Sequence, residues 1–239
     1  MANEEKQGGE EKSADSSAER KAIIFELEGL AADGHAALFD AVSGALDACG
    51  KELTTPLFSR FCISEPVSMF VPKLCGFLGI SSKDQDKIEK QIKAAYENFW
   101  GAKDFAFRNG FQEFIQSAHE SGLELIAVTS LPKKLAVASL KGLDSESGVI
   151  DIHSFSGRDS VVAGADTWMQ VATDRGLNPR VCIGIASTGR ACKAILAADL
   201  HCVVVPNEYT AYEDFSGARF QYDEIGSVNV GELVSEFYE

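Results

Sequence analysis

K-A-I-I-F-E-L-E-G-L-A-A-D, residues 21–33, is the stretch on which the fold turns. Its apolar run, Ala22–Phe25, reads as a fully buried strand that ends abruptly in two carboxylates, Glu26 and Glu28, ahead of Gly29. In an open α/β sheet, ligands bind at the carboxyl ends of the strands. Two acids flanking one residue at such an end suit a divalent cation, or a pair in which one acid attacks and the other moves a proton. They also suit two solvated glutamates at a strand edge. Spacing alone leaves the three readings open.

Downstream, His35–Cys49 repeats apolar residues at helical spacing, with Asp33 as candidate cap. Helical patterns follow over Pro56–Ile63, Pro66–Leu78 and Ser81–Trp100, the last showing Ile88, Ile92, Ala95 and Phe99 on one face. No strand pattern interrupts them. Residues 35–103 therefore read as a helical cap inserted between the first and second strands, with Phe58, Phe61, Met69, Phe70 and Phe77 as bundle core. From Gly110 the pattern alternates. Helix Phe111–Glu120 and strand Leu123–Val128 come first, then helix Pro132–Leu140 and strand Val149–Phe155. Helix Ala165–Arg175, strand Val181–Ile185, helix Arg190–Ala198 and strand His201–Val205 follow, with a last helix at Gly231–Tyr238. This rhythm implies right-handed crossovers and a mostly parallel sheet with helices on both faces. The expected organisation is a disordered acidic tail over 1–20, an α/β core over 21–34 and 104–239, and the cap over 35–103.

Composition narrows the function classes. With 239 residues, 45% hydrophobic and 24% charged, the chain is ordinary globular material able to bury a substantial core. A net charge of −14 repels nucleic acid and anionic membranes, so neither is an expected partner. The start, residues 1–20, has no apolar core or basic n-region and does not read as a signal peptide, and no stretch is apolar enough to span a bilayer. The six cysteines form no C-x-x-C pair, and several lie in apolar runs. Reduced core thiols in a cytoplasmic protein are the expectation. The four histidines show no ligand spacing and read as structural.

The candidate site collects at the strand ends: Glu26 and Glu28, Thr129 and Ser130, the loop 156–165, and Ala186-Ser187-Thr188-Gly189. A G-x-G-x-x-G turn after the first strand is absent, as is a G-x-S-x-G elbow, which disfavours dinucleotide binding and serine-hydrolase chemistry.

These residues resemble the haloacid-dehalogenase (HAD) superfamily, in the branch with a helical cap after the first strand that includes phosphoglucomutases and phosphoglycolate phosphatases. The family's opening F-D-x-D-G-T-L-x-D-S is matched by Phe25-Glu26-Leu27-Glu28-Gly29-Leu30-Ala31-Ala32-Asp33, and its strand ending in Thr or Ser by Thr129. A helix ending in L-G-hydrophobic-x-P is matched by 166–174 with Arg175-Gly176-Leu177-Asn178-Pro179. The strand before E-D-S is matched by 182–188, and the closing V-P-N by Val205-Pro206-Asn207, followed by Tyr209-Thr210. The resemblance spans residues 21–207 and implies a Rossmann-like three-layer α/β core.

It also implies roles. The first acid of the opening motif is the nucleophile, the second a general acid/base; Thr or Ser and a lysine hold the phosphoryl group; a fourth-motif aspartate helps bind magnesium. Here Glu26 stands at the nucleophile position, and its extra methylene displaces the carboxylate on the scale of 1 Å, a misplacement that costs about a hundredfold. Glu28 stands at the acid/base position, Val162 at the lysine, and Ala186 and Ser187 at the fourth-motif acids. Thr129 alone is kept. Phosphoryl transfer rests on positioning and on cancelling negative charge. The sequence therefore points to a HAD-like pseudoenzyme acting as a binding or regulatory protein. The alternative is a divergent magnesium-dependent hydrolase, a phosphatase or phosphomutase acting on a small phosphorylated metabolite. No cofactor is expected; a loosely held magnesium on Glu26 and Glu28 belongs to the alternative. Arg158, Lys133 and Lys134 are candidate stand-ins for the lost cation. The partner is a small molecule in the cap–core cleft or an unidentified protein, with the acidic tail as a candidate interaction arm.

Overall fold

The computed structural model describes residues 20–103, 105–143, 149–157 and 160–238. The tail over 1–19 and Arg158, the first candidate stand-in cation, lie outside the described residues.

Six strands form one sheet: β1 (Ala22–Glu26), β2 (Glu124–Thr129), β3 (Ile150–Ser154), β4 (Cys182–Ala186), β5 (His201–Val204) and β6 (Phe220–Gln221). The order is β3-β2-β1-β4-β5-β6 and every pairing is parallel, so the sheet is wholly rather than mostly parallel. Strand β6 has no counterpart in the sequence pattern. At two residues it is too short to show a period, and its register with β5, Val203 against Phe220, defines it.

The strand residues divide by their period of two. Ile23 and Phe25 face one layer, with Phe111, Phe114 and Ile115 of α6 (Phe111–Glu120), Ala136 of α7 (Lys133–Ser139) and Leu233 of α10 (Val230–Tyr238). Ala22 and Ile24 face the other, with Trp168 and Val171 of α8 (Ala165–Thr173) and Cys192 and Ile195 of α9 (Gly189–Ala197). Both faces are covered, which is why the central strands read as continuous apolar runs rather than as alternations.

Between β1 and β2 lie a four-residue turn of helix, α1 (Leu27–Leu30), and then α2 (Gly34–Asp47), α3 (Thr55–Phe61), α4 (Val67–Leu78) and α5 (Ser82–Trp100). The last four enclose a core of their own, built on Val42, Leu46, Phe58, Phe70, Leu74, Ile88 and Ile92. Ser81 caps α5, its hydroxyl accepting from the Lys83 N–H at 3.3 Å. Asp33 does not cap α2 with its side chain: its carboxylate pairs instead with Arg108, Oδ1 to Nε at 3.2 Å. Of the five residues read as bundle core, Phe58 and Phe70 are buried, whereas Met69 and Phe77 stand 51% and 57% exposed on the outer face of α4. Five cysteines are buried and Cys49 is exposed; all six are free thiols. Among the described residues no helix is long and apolar enough to cross a membrane.

Candidate functional site

Register places the site. Glu26 closes β1 opposite Val128 of β2, and Phe25 lies opposite Ile185 of β4. The ends carrying Glu26, Thr129 and Ala186 therefore stand side by side. The cap closes over them and leaves a cavity of about 90 Å³, floored by Glu26, Glu28, Ser130 and Ser187 and walled by Val161 and Val162. The cap contributes His35, Leu38, Cys62, Ile63, Ser64, Glu65, Val67 and Tyr96.

Each acid on the floor is held by a different strand end. Glu26 Oε2 accepts from the Ser187 N–H at 2.7 Å and from Ser187 Oγ at 3.0 Å. Glu28 Oε1 accepts from Thr129 Oγ1 at 3.0 Å and from the N–H and Oγ of Ser130, both at 2.7 Å. Gly29 lets these two halves meet. A Cβ on it would fall 1.9 Å from Ser187 Oγ, so any side chain there would dislodge the hydroxyl that holds Glu26.

No lysine or arginine lines the cavity among the described residues. The consequence is electrostatic. Burial, joined by the like charges of Glu28 and Glu213, raises the Glu26 carboxyl to about 7, against the pull of the Ser187 hydrogen bonds. Burial raises Glu28 as well, opposed by its bonds to Ser130 and Thr129. Burial also raises Tyr96, which lies close enough to feel the Glu28 charge.

Among the described residues, two arginines at the cap–core boundary are engaged elsewhere. Arg108 turns to the backbone of the 27–33 turn, its Nη1 donating to the Gly29 carbonyl at 2.7 Å while its guanidinium pairs with Asp33. Arg190 donates to the Ser64 carbonyl at 3.0 Å, across the cap–core boundary. Lys133 and Lys134 are exposed at the start of α7 and do not line the cavity. Helix α7 begins beyond Pro132 and carries both side chains outward.

The structure brings Glu26, Glu28, Thr129, Val162 and Ser187 to one place. It adds two residues that the sequence reading missed. His35, read as structural, lines the cavity, and its Nδ1 meets Asn207 Nδ2 at 2.6 Å. Asn207 Oδ1 accepts from the Tyr209 N–H at 3.0 Å, which assigns Nδ2 as the donor and leaves Nδ1 of His35 unprotonated. Burial, with the charge of Arg108 next, lowers His35 to about 4, so the ring is neutral at pH 7. Arg108 is the second. Its partner Gly29 lies 79 residues away, and no local motif marks it.

Three comparisons place this geometry among known proteins. No protein-family model matches the chain. The CbbY protein encoded on a plasmid of Cupriavidus necator is 25% identical over 221 residues, 86% of each chain. Among solved structures, β-phosphoglucomutase from Clostridium difficile superposes with a TM-score of 0.69 at 17% identity, over 91% of this chain and 97% of that one. A HAD hydrolase of family IA, variant 3, from Entamoeba histolytica gives 0.70 at 14% identity, over 92% and 100%. The chain thus has the HAD-like α/β fold that these phosphoglucomutase-like structures share.

For the magnesium that the resemblance implies, the floor offers the carboxylates of Glu26 and Glu28. One oxygen of each glutamate is already taken by protein donors, and the third acidic position is the hydroxyl of Ser187. Among the described residues no group of three metal-ligating side chains is assembled.

Proposed function

We propose that this HAD-fold chain does not turn over phosphate esters and serves as a binding or regulatory protein through the cavity between cap and core. One observation carries the reading: a half-buried floor of two glutamates, in a cavity that Glu65 also lines, faces a wall of Val161 and Val162 where phosphoryl transfer needs a cation. A phosphate entering there meets like charge at short range, in surroundings that screen it poorly. Such a cavity favours small molecules that offer hydrogen-bond donors over anions. Free thiols fit a reducing compartment, and we assign the chain to the cytoplasm.

The test is turnover of a generic phosphate ester with magnesium. The expected outcome is no hydrolysis by the native chain. Clear hydrolysis that disappears in Glu26→Ala overturns the reading. A quadruple variant, Glu26→Asp, Glu28→Asp, Val162→Lys and Ser187→Asp, serves as the positive arm, because activity gained there shows the scaffold to be otherwise competent.

A second reading, the divergent hydrolase, is favoured by one fact. Glu26 and Glu28 stand together on the cavity floor at one strand end, where one carboxyl can attack and the other move a proton. It requires magnesium on the floor, so calorimetry at millimolar magnesium decides between the two: heat that is lost in Glu28→Gln supports the hydrolase.

A further inference from the structure

We propose that the segment Asn207–Thr210 is a strap that holds the cap shut on the core, with the ring of Tyr209 as its key, and that the cavity opens only when this ring withdraws. The inference is independent of whether the cavity performs chemistry.

The segment belongs to the core by its backbone. Val205 N–H donates to the Ala186 carbonyl, continuing the sheet register past β5, and Thr210 Oγ1 donates to the Ser187 carbonyl at 2.7 Å. Asn207 N–H is held by Thr210 Oγ1 at 3.0 Å, closing a tight turn. From this anchored turn the Tyr209 ring enters the cap. It stacks on Phe39 with centroids 5.5 Å apart and meets Phe58 edge-on at 5.0 Å. Among the described residues, every other buried member of the cap core comes from residues 41–92.

Polar contacts surround the ring on both sides of the boundary. Ser59 Oγ of α3 donates to the Tyr209 carbonyl at 3.2 Å, and Asn207 meets His35 at the start of α2. At the far side Arg190 of α9 reaches Ser64, whose backbone is left-handed at φ 66°. Helices α2 and α3 and the turn before α4 are thus tied to the core at separate points. The strap also reaches the floor: Thr210 binds the carbonyl of Ser187, whose N–H and hydroxyl hold Glu26. What occupies the floor and whether the cap is shut are linked through one residue.

Cys62 reports opening. It is fully buried and lines the cavity from the end of α3, whereas Cys75 lies inside the cap and Cys182 inside the core. The experiment labels the full chain with N-ethylmaleimide and reads each cysteine by peptide mass spectrometry. In the native chain Cys49 labels at once and Cys62 slowly. Tyr209→Ala is expected to speed Cys62 at least tenfold while Cys75 and Cys182 stay protected, and Tyr209→Phe, which keeps the ring, to match the native rate. An unchanged Cys62 rate in a folded Tyr209→Ala variant overturns the proposal, as does a native Cys62 that labels as fast as Cys49. Should Tyr209→Ala expose Cys62, Cys75 and Cys182 together, the double variant Ser59→Ala, Arg190→Ala is read instead, since it leaves every ring in place. A several-fold rise confined to Cys62 then supports the strap, and no rise overturns it.

Discussion

The two ends of the central sheet treat their carboxylates in opposite ways. At the amino ends of the strands four acids each have an arginine. Arg20 grips Glu124, with Nε to Oε1 at 2.5 Å and Nη2 to Oε2 at 2.7 Å, Arg175 pairs with Asp151, Arg180 with Asp199 and Arg219 with Glu236. At the carboxyl ends Glu26 and Glu28 have hydroxyls and backbone amides and, among the described residues, no cation. The neutralised acids are mostly exposed, where pairing contributes little; the uncompensated ones are half-buried, where each charge costs more. A floor left negative in this way stabilises neither the fold nor a bound phosphate, and its charge is open to balance by something that enters the cavity.

The largest expected effect tests whether that floor carries such a cost. A carboxyl raised from 4.5 to about 7 on folding binds its proton more tightly in the folded state. Its contribution is therefore fully present below pH 4.5 and is lost as pH rises through 7, which makes the fold less stable at pH 8 by roughly 3 kcal/mol. Glu28, also raised, acts in the same direction. Glu26→Gln removes the charge while keeping an acceptor for Ser187. In urea unfolding the variant should exceed the native chain at pH 8 by a figure approaching that one, and the gap should nearly close at pH 5. A gap of equal size at both pH values would show that the carboxyl ionises normally.

Next in size is Arg108, a cation beside the 27–33 turn that does not serve the floor. Arg108→Ala strips a charged donor from the Gly29 carbonyl and leaves Asp33 unpaired, a loss of about 2 kcal/mol for a side chain only 13% exposed. Its instructive readout is the pH 5 to pH 8 difference. Because Arg108 points into the 27–33 turn, removing it should lower stability at both values, somewhat less at pH 5, where its loss also relieves the charge that, after burial, keeps His35 neutral. If the fall stayed steeper at pH 8 in a His35→Gln background, Arg108 would balance the floor from a distance, and the contrast between the two sheet ends would weaken.

What was legible in the sequence follows the range of the interactions. Helix α6 is matched at both ends because its amphipathic period and the Gly-rich turns beside it are local signals. The convergence of Glu26, Thr129, Val162 and Ser187 was also legible, since strand ends in a parallel sheet share one edge and a resemblance supplies their pairing. Residues that act across the chain left no such trace. His35 meets Asn207 over 172 positions, and Arg108 finds Gly29 over 79. Tyr209 was visible as part of V-P-N-E-Y-T, yet nothing in that string says its ring lies among cap aromatics. Lys133 and Lys134 misled for the same reason: nearness in the chain to Thr129 stood in for nearness in space. Phe77 and Met69 share the helical period of α4 but fall on its outer face, and period alone does not say which face is covered.

The smallest effect belongs to the paired end. Arg20 and Glu124 make two short contacts, and Arg20 also donates to the Arg175 carbonyl at 2.8 Å, yet the arginine side chain is 56% exposed. Solvent screens the pair, and ordering a long side chain offsets much of the gain, so Arg20→Ala should cost less than about 1 kcal/mol. Raising salt to 1 M shortens the screening length to about 3 Å and should erase most of that difference. The Glu26→Gln gain, set by burial rather than by exposed charge, should survive the same salt. If both effects faded together, the acids of the floor would be solvated like those at the opposite edge, and the distinction between the two ends would be one of neighbours alone.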